Sequence, residues 1–237
     1  MSNVTNKLGK ELKNSSELQE VFASIAHQWR QPLSQINSIV GAIDNRLYEI
    51  GVEDKTLTKQ LLEIENIIKN MSESVDDFRG YIGEAKAKSY FLDELIKKAL
   101  EVTFYTLKEH NIEIIIDIEK SLEFFGDEQL LKQIVITLIN NAKDAMISRN
   151  VYQPKIHLKA FTESNTLFIK VCDNGGGMSK SVMQKIFEPA FTTKHHSEGT
   201  GLGLNMAKKL TQEKLHALLY VKNVDNGVCF TIEFSKD

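Results

Sequence analysis

The stretch Asp173-Asn174-Gly175-Gly176-Gly177-Met178 begins one residue after Thr166–Val171, a segment whose apolar pattern predicts a β-strand. A carboxylate at the end of a strand can accept a hydrogen bond from a ligand. The three glycines allow the backbone to approach that ligand closely, because they carry no side chain. The stretch therefore predicts a binding loop at the end of a sheet. The predicted strands on either side of the loop indicate that sheet.

Helices and strands alternate around this loop. The apolar residues predict three helices, Asp93–Lys108, Asp127–Ser148 and Leu202–Gln212, and Asp127 is a candidate N-cap. Asp225-Asn226-Gly227 is a hairpin-turn signal between the last two of five predicted strands. These strands are Ile112–Ile118, Lys155–Phe161, Thr166–Val171, Ala217–Asn223 and Val228–Phe234. The mixture indicates an α+β layer, with helices on one face of a sheet.

Three further segments carry residue types that suit a nucleotide. Asn141, on the helix Asp127–Ser148, offers an amide oxygen, a ligand type that Mg²⁺ prefers. Ile186–Lys194 predicts a mobile lid with aromatic anchors and a lysine for phosphate. Gly199-Thr200-Gly201-Leu202-Gly203 opens a helix, where backbone amides and the helix dipole favour an anion. It has neither the spacing of a Rossmann fingerprint nor the Gly-Lys-Ser/Thr of a P-loop. With Asp173, these segments predict a site for ATP and Mg²⁺.

Residues 15–82 contain one proline and three glycines, and their apolar residues recur every three or four positions. The pattern predicts two long helices, which the short link Gly51-Val52-Glu53-Asp54 makes antiparallel. The apolar stripes are Leu18, Phe22, Ile25, Trp29, Leu33, Ile36, Val40, Ile43, Leu47 and Ile50, then Leu57, Leu61, Ile64, Ile68, Met71, Val75, Phe78 and Ile82. A lone hairpin of this kind has too small a core, so we expect a homodimer that forms a four-helix bundle.

His27 lies on the first helix, two positions from both Ile25 and Trp29, and therefore points away from the apolar stripe. A neutral imidazole is a good nucleophile at physiological pH, because its pKa lies near 6.5. An exposed histidine is common on protein surfaces, so His27 alone indicates little. Together with a predicted ATP site in the same chain, it becomes a candidate phosphate acceptor.

These segments together resemble the transmitter region of two-component sensor histidine kinases, and the resemblance covers nearly all of the chain. His27–Leu33 resembles the family's histidine box, and Asn141-Ala142 lies in its asparagine box. Asp173–Gly177, Phe187–Lys194 and Gly199–Gly203 resemble its first glycine box, its phenylalanine box and its second glycine box. Each motif alone is weak, but the combination in this order is highly specific.

The resemblance implies an all-α helical hairpin that forms a dimeric four-helix bundle, followed by an α+β ATP-binding sandwich of the gyrase–chaperone–kinase (GHKL or Bergerat) type. It implies transfer of the ATP γ-phosphate to His27, and then to an aspartate on a response-regulator receiver domain. It also implies that Gln31 supports the reverse, phosphatase reaction by orienting a water molecule.

In the ATP site, the resemblance implies that Asn141 holds Mg²⁺, that Asp173 reads adenine and that Lys194 meets the phosphates. The other candidate cofactor-binding residues are Asp144, Gly175, Gly177, Phe187, Gly199, Thr200, Gly201, Leu202 and Gly203.

Four positions depart from the family's pattern. Gln28 stands where many members have Glu or Asp, which act as a base beside the histidine, and an amide cannot take up a proton. Thr137 replaces an asparagine, Asp144 replaces a basic residue and Ala190 replaces an aromatic residue of the lid. Two roles for Asp144 stay open, as a Mg²⁺ ligand or as a carboxylate that faces solvent.

The composition is ordinary for a soluble globular protein, with 42% hydrophobic and 26% charged residues in 237. A net charge of -3 gives no general attraction to nucleic acid or to an anionic membrane. No apolar run approaches the roughly 20 residues of a membrane span. We expect Cys172 and Cys229 to be free thiols in a reducing cytoplasm. The chain is thus expected to be cytoplasmic, by itself or as the cytoplasmic part of a longer, membrane-anchored sensor.

We expect three regions: a linker over 1–15 that could continue an upstream coiled coil, the helical hairpin over 16–84, and the ATP-binding domain over 88–237. The main hypothesis is an ATP-dependent protein histidine kinase. One alternative is a catalytically weak or silent dimeric scaffold that binds ATP, and Gln28 keeps it open. Another is an ATPase of the gyrase or chaperone class, which would have no use for the His27 segment.

Overall fold

A computed structural model describes residues 32–52, 54, 56–65, 67–68, 87–193 and 201–235. These residues fall into two compact units. The first comprises the described residues within 32–68 together with 192–193, and the second comprises 87–191 and 201–235.

The first unit contains two helices, α1 over 32–49 and α2 over 56–65 and 67–68. Between them Gly51 has a φ of 69°, and the amide of Val52 donates a hydrogen bond to the carbonyl of Leu47 at 3.0 Å. Asp54 caps α2, because its Oδ1 accepts from the amides of Thr56 and Leu57 at 2.8 and 3.2 Å. The predicted helical hairpin is therefore confirmed over these residues, and the rest of it lies outside the described residues.

The core of this hairpin uses only part of the predicted apolar stripes. Leu33, Val40, Leu61 and Ile68 form a buried cluster, against which Leu47 packs. Other stripe residues are much more exposed in the single chain: the exposed fraction is 44% for Ile36, 44% for Ile43 and 40% for Ile64.

The second unit contains seven strands and four helices within the described residues. In order these are β1 (Ala87–Phe91), α3 (Leu92–Glu109), β2 (Glu113–Ile118), β3 (Glu123–Asp127), α4 (Glu128–Ser148), β4 (Lys155–Glu163), β5 (Thr166–Asp173), α5 (Lys180–Lys185), α6 (Gly203–Glu213), β6 (Leu218–Val224) and β7 (Gly227–Ser235). Every element predicted in this part of the chain is present, with ends that differ by one or two residues. The strands β1 and β3 and the short helix α5 have no counterpart in the sequence prediction.

The main sheet has five strands in the order β2-β4-β5-β7-β6. β2 runs parallel to β4, the other neighbours are antiparallel, and β1 pairs with β3 in a separate antiparallel ribbon. α4 packs against β4 and β5, α6 packs against β6, and α3 packs against α4. Buried residues alternate along β5, where Leu167, Ile169 and Val171 enter the core. The predicted α+β layer is confirmed.

The start of α4 is fixed by two acidic residues. Oδ1 of Asp127 accepts hydrogen bonds from the amides of Gln129 and Leu130, both at 3.0 Å, which confirms the predicted N-cap. Glu128 is only 4% exposed and forms ion pairs with Lys88 of β1 and Lys98 of α3, at 2.5 and 2.6 Å. Hydrogen bonds from these two lysines lower the pKa of Glu128. The ion pairs therefore link three elements at one end of α4.

The expectation of free thiols is wrong for this structure. Cys172 of β5 lies directly opposite Cys229 of β7, and the two are joined as a disulfide. The two cysteines are 57 residues apart in sequence, and only the strand order and register bring them together. Within the described residues, no helix is long and apolar enough to span a membrane.

Candidate functional site

Asp173, the last residue of β5, is 6% exposed and occupies the centre of the site. Its Oδ1 accepts a hydrogen bond from the amide of Gly175 at 2.8 Å, whereas its buried Oδ2 accepts none from the described residues. Burial raises the pKa of Asp173, while the amides of Gly175 and Val228 and the charge of Arg149 act in the opposite direction. Buried polar atoms nearly always have a partner, so Oδ2 is an acceptor suited to a donor on a ligand.

The turn between β6 and β7 lies against Asp173. A Cβ on Gly227 would come within 1.8 Å of the carbonyl oxygen of Asp173, so only glycine allows this approach. The carbonyl of Asn226 accepts a hydrogen bond from the amide of Gly176 at 2.7 Å. The turn that the sequence marks as a hairpin signal is therefore also one wall of the site.

Two asparagine side chains hold the loop that follows β5. Asn223 of β6 accepts a hydrogen bond from the amide of Met178 and donates one to its carbonyl, both at 2.8 Å. Asn174 accepts from the amide of Lys155 at 2.8 Å and donates to the carbonyl of Gln153 at 2.9 Å. The glycine-rich loop is thus tied to strands β4 and β6, which limits its freedom before any ligand binds.

α4 forms the opposite side of the site. A Cβ on Gly175 would lie 3.4 Å from Cβ of Ala145, so Gly175 sits close to the helix. Asn141, one turn before Ala145, lies on the same face of α4. Its Nδ2 donates to the carbonyl of Thr137 at 2.7 Å, which orients the amide and leaves Oδ1 as the atom for a cation.

Asp144 follows Asn141 by three residues, half-buried, and its Oδ1 lies 3.5 Å from Nζ of Lys143. Among the described residues, no group of three or more His, Cys, Asp or Glu side chains could hold a metal ion. A cation in this site would therefore take other ligands, such as amide oxygens, water and phosphate oxygens. The amide oxygen of Asn141 suits a hard cation that keeps several such ligands.

Phe187 is the first aromatic anchor of the predicted lid and is held by α6. Asn205 donates to the carbonyl of Phe187 at 2.7 Å, and Nζ of Lys208 lies 4.6 Å from the ring centroid. The ring also meets Phe230 of β7 in an edge arrangement, with centroids 6.4 Å apart. These contacts fix the start of the lid to the core.

The second glycine box begins α6, at Leu202 and Gly203, and no side chain caps this helix. The first turn contains no acidic residue, and the amides at a helix start present partial positive charge that an anion can use. Gly201 has a φ of 66°, and a Cβ there would come within 2.6 Å of the Ala190 carbonyl carbon and of the Phe191 oxygen. Glycine at 201 therefore lets the end of the lid lie against the start of α6.

The structure places the loop after Asp173 against α4, with Gly175 beside Ala145, and packs α6 against the same helix. That Asn141, Asp173, Gly175, Gly177 and the start of α6 form one site stays a prediction. Six predicted site residues lie outside the described residues: His27, Gln28, Gln31, Lys194, Gly199 and Thr200.

Sequence reasoning overlooked four residues that shape the site, namely Arg149, Asn205, Asn223 and Gly227. Gly227 belongs to the predicted hairpin turn, but that turn signal does not predict its contact with Asp173. The others are polar residues at or near element ends, and only the packing of α4, α6 and β6 brings them to the loops.

Comparison with known proteins shows what the second unit is similar to. Residues 126–237 match the family model described as histidine kinase-, DNA gyrase B-, and HSP90-like ATPase. Among curated proteins, sporulation kinase B of Bacillus subtilis is 29% identical over 229 residues, which cover 92% of this chain and 50% of that protein. The signal transduction histidine-protein kinase AtoS of Escherichia coli is 27% identical over 217 residues, which cover 91% of this chain and 34% of that protein.

The resemblance to the transmitter region of two-component sensor histidine kinases is confirmed.

Solved structures show the same resemblance. The catalytic domain of histidine kinase ThkA is 27% identical, with a TM-score of 0.57, and the match covers 64% of this chain and 96% of that domain. ThkA in complex with the response regulator protein TrrA matches 98% of this chain and 66% of that chain, with a TM-score of 0.64. At 23% identity this second match shows the fold alone. The chain spans about half or less of the length of the curated relatives named above.

Replacing Asp173 by Asn tests the role of the open acceptor. The amide can still accept from Gly175 through Oδ1, but Nδ2 would place a donor where Oδ2 offers an acceptor. We expect ATP affinity to fall about tenfold or more, as measured by calorimetric titration. The melting temperature of the free protein should stay equal or rise, because the raised pKa means that the buried charge disfavours the folded state near neutral pH.

Asp117→Asn, on the exposed edge strand β2, is the matched control and should leave ATP affinity unchanged. Unchanged ATP affinity in Asp173→Asn would remove Asp173 from the binding site.

Proposed function

We propose that the chain is the core of an ATP-dependent protein histidine kinase that autophosphorylates His27 and passes the phosphoryl group to a response-regulator aspartate. The observation that carries this proposal is the open acceptor of Asp173, enclosed by the first glycine box and the hairpin turn. An adenine amino group would satisfy Oδ2, and the other motif residues would then lie on the path from the base to the phosphates.

Phosphoryl transfer depends mainly on positioning and on the neutralisation of developing charge. The amides at the start of α6, which no side chain of the described residues caps, support a phosphate position near Gly201 and Gly203. Lys194, Gly199 and Thr200 would complete this phosphate region. The fixed contacts of Phe187 support a lid that is anchored at its beginning and can close over a nucleotide.

Mg²⁺ is the cation that this site would take. Asn141 would hold it through Oδ1, because Nδ2 is already engaged with the carbonyl of Thr137. Bound there, Mg²⁺ would supply charge neutralisation at the phosphates. Asp144 remains a second candidate ligand, since it lies one turn further along α4 and is half-buried.

At the phosphoacceptor, Gln28 cannot act as a base, so it would at most orient the imidazole of His27. Gln31, one turn further along the predicted helix, would orient a water molecule for the reverse, phosphatase reaction. The complex of the relative ThkA with the response regulator protein TrrA supports a receiver domain as the partner.

A homodimer would cover the apolar side chains that one hairpin leaves exposed. Ile36, Ile43 and Ile64 belong to the predicted stripes and are each at least 40% exposed in the single chain. A second copy that packs on them would form the four-helix bundle. We propose a cytoplasmic location, by itself or as the cytoplasmic part of a longer, membrane-anchored sensor. In that reducing compartment the facing Cys172 and Cys229 would be held as two thiols rather than as the disulfide.

A catalytically weak or silent dimeric scaffold is the second candidate, and Gln28 is the observation that favours it. Such a protein would bind ATP through the same residues without transferring phosphate. The two candidates therefore differ only at His27.

Incubation with γ-labelled ATP separates them. We expect acid-labile label on the unmodified chain and none on His27→Gln, with ATP affinity preserved, because His27 is the acceptor and not part of the nucleotide site. His110→Gln, at the exposed C-cap of α3, is the control and should label normally. Label retained on His27→Gln would exclude the acceptor role, and an unlabelled wild-type chain that binds ATP would favour the scaffold.

Asn141→Ala tests the cation site. Affinity for ATP should fall about tenfold or more when Mg²⁺ is present and change little in its absence, since the variant removes a cation ligand. Asn140→Ala, the neighbouring residue on α4, is the matched control. Equal losses with and without Mg²⁺ would assign Asn141 a role other than holding the cation.

A further inference from the structure

Arg149 directly follows α4 and reaches the loop after β5. Its Nη1 donates one hydrogen bond to the carbonyl of Gly175 and a second, at 3.1 Å, to the carbonyl of Gly177. Gly176, between these two residues, has a φ of 74°, and a Cβ on it would lie 3.2 Å from Nη1 of Arg149. One side chain therefore bridges both ends of the sharp bend in the first glycine box.

This bridge acts on Asp173 through Gly175. The amide of Gly175 holds Oδ1 of Asp173 at 2.8 Å, and its carbonyl is the group that Arg149 holds on the other side. The orientation of the carboxylate thus depends on a peptide segment that a residue of α4 fixes. If that segment moved, Oδ1 would lose its donor and Oδ2 would no longer keep a fixed direction.

A purely structural role for Arg149 is the alternative explanation. A cation at the C-terminus of a helix interacts favourably with the helix dipole, and Arg149 is the C-cap residue of α4. Arg149 is exposed, so water screens its charge. This screening weakens both its interaction with the helix dipole and any direct attraction to Asp173. The geometry of the two hydrogen bonds is therefore the stronger of its possible contributions.

We propose that Arg149 is a positioning residue for adenine recognition, which holds the bend Gly175–Gly177 so that Asp173 presents Oδ2 to the adenine amino group. This inference rests on the proposed ATP site. It adds a residue outside the recognised motifs, and it makes a specific claim: Arg149 affects which base binds, and not only how stable the protein is.

The test compares ATP with inosine triphosphate, whose base has a keto oxygen in place of the adenine amino group. Arg149→Met keeps an apolar stem and removes the donors. In the full chain with Mg²⁺, we expect it to weaken ATP binding about tenfold and inosine triphosphate binding much less, so that the ratio of the two affinities falls several-fold. Amide hydrogen exchange at 175–178 should accelerate, while exchange in β4 and β5 stays slow.

Arg149→Lys keeps the charge on a shorter and more strongly hydrated head group, and should lose part of the preference for ATP. It also serves if Arg149→Met folds poorly, which its melting curve reveals. Lys97→Met, which removes an exposed cation on α3, should change neither the preference nor the exchange.

An unchanged preference in Arg149→Met would overturn the inference, even if its melting temperature fell. Wild-type behaviour of Arg149→Lys would also overturn it, because charge alone would then suffice. A wild-type chain that does not bind ATP would refute the proposed function itself, and the role of Arg149 with it.

Discussion

The carboxylate of Asp173 is buried at the end of β5. Its Oδ1 accepts a hydrogen bond from Gly175, its Oδ2 accepts none from the described residues, and the proposed site depends on this difference. Burying a charged group disfavours folding unless hydrogen bonds or opposite charges offset the loss of water. Here the amides of Gly175 and Val228 and the charge of Arg149 offset part of the loss, and the pKa of Asp173 remains raised by burial. The remaining acceptor, Oδ2, is the atom that a donor on a ligand can pair with.

The elements around Asp173 keep this arrangement rigid. The turn at Gly227 approaches its carbonyl, Asn223 holds the far end of the loop, and Arg149 bridges the bend. Arg149 extends from α4, which also carries Asn141, so one helix contributes to both the proposed base end and the proposed cation end. The ion pairs of Glu128 fix the beginning of that same helix. The position of α4 therefore couples the two ends of the candidate site.

Much of this could be predicted from the sequence, because it depends on local patterns. Apolar periodicity predicted the main strands and helices of the second unit, and the candidate N-cap Asp127 predicted the start of α4. The pairing of Cys172 with Cys229 could not be predicted, because it depends on which strands become neighbours. The same holds for Arg149 and Asn223, whose contacts cross 28 and 45 residues of sequence. Motifs thus indicated candidate nucleotide contacts, whereas the contacts of Arg149 and Asn223 with the loop became visible only in the tertiary structure.

The central claim is that this ATP site serves a histidine of the same chain. The most direct measurement is peptide mass spectrometry after exposure to Mg²⁺ and ATP, under conditions that preserve phosphohistidine. Our account predicts a single phosphorylated histidine, His27, in the peptide that contains Trp29 and Gln31. Phosphate on another residue, or a chain that binds ATP and remains unmodified, would contradict it.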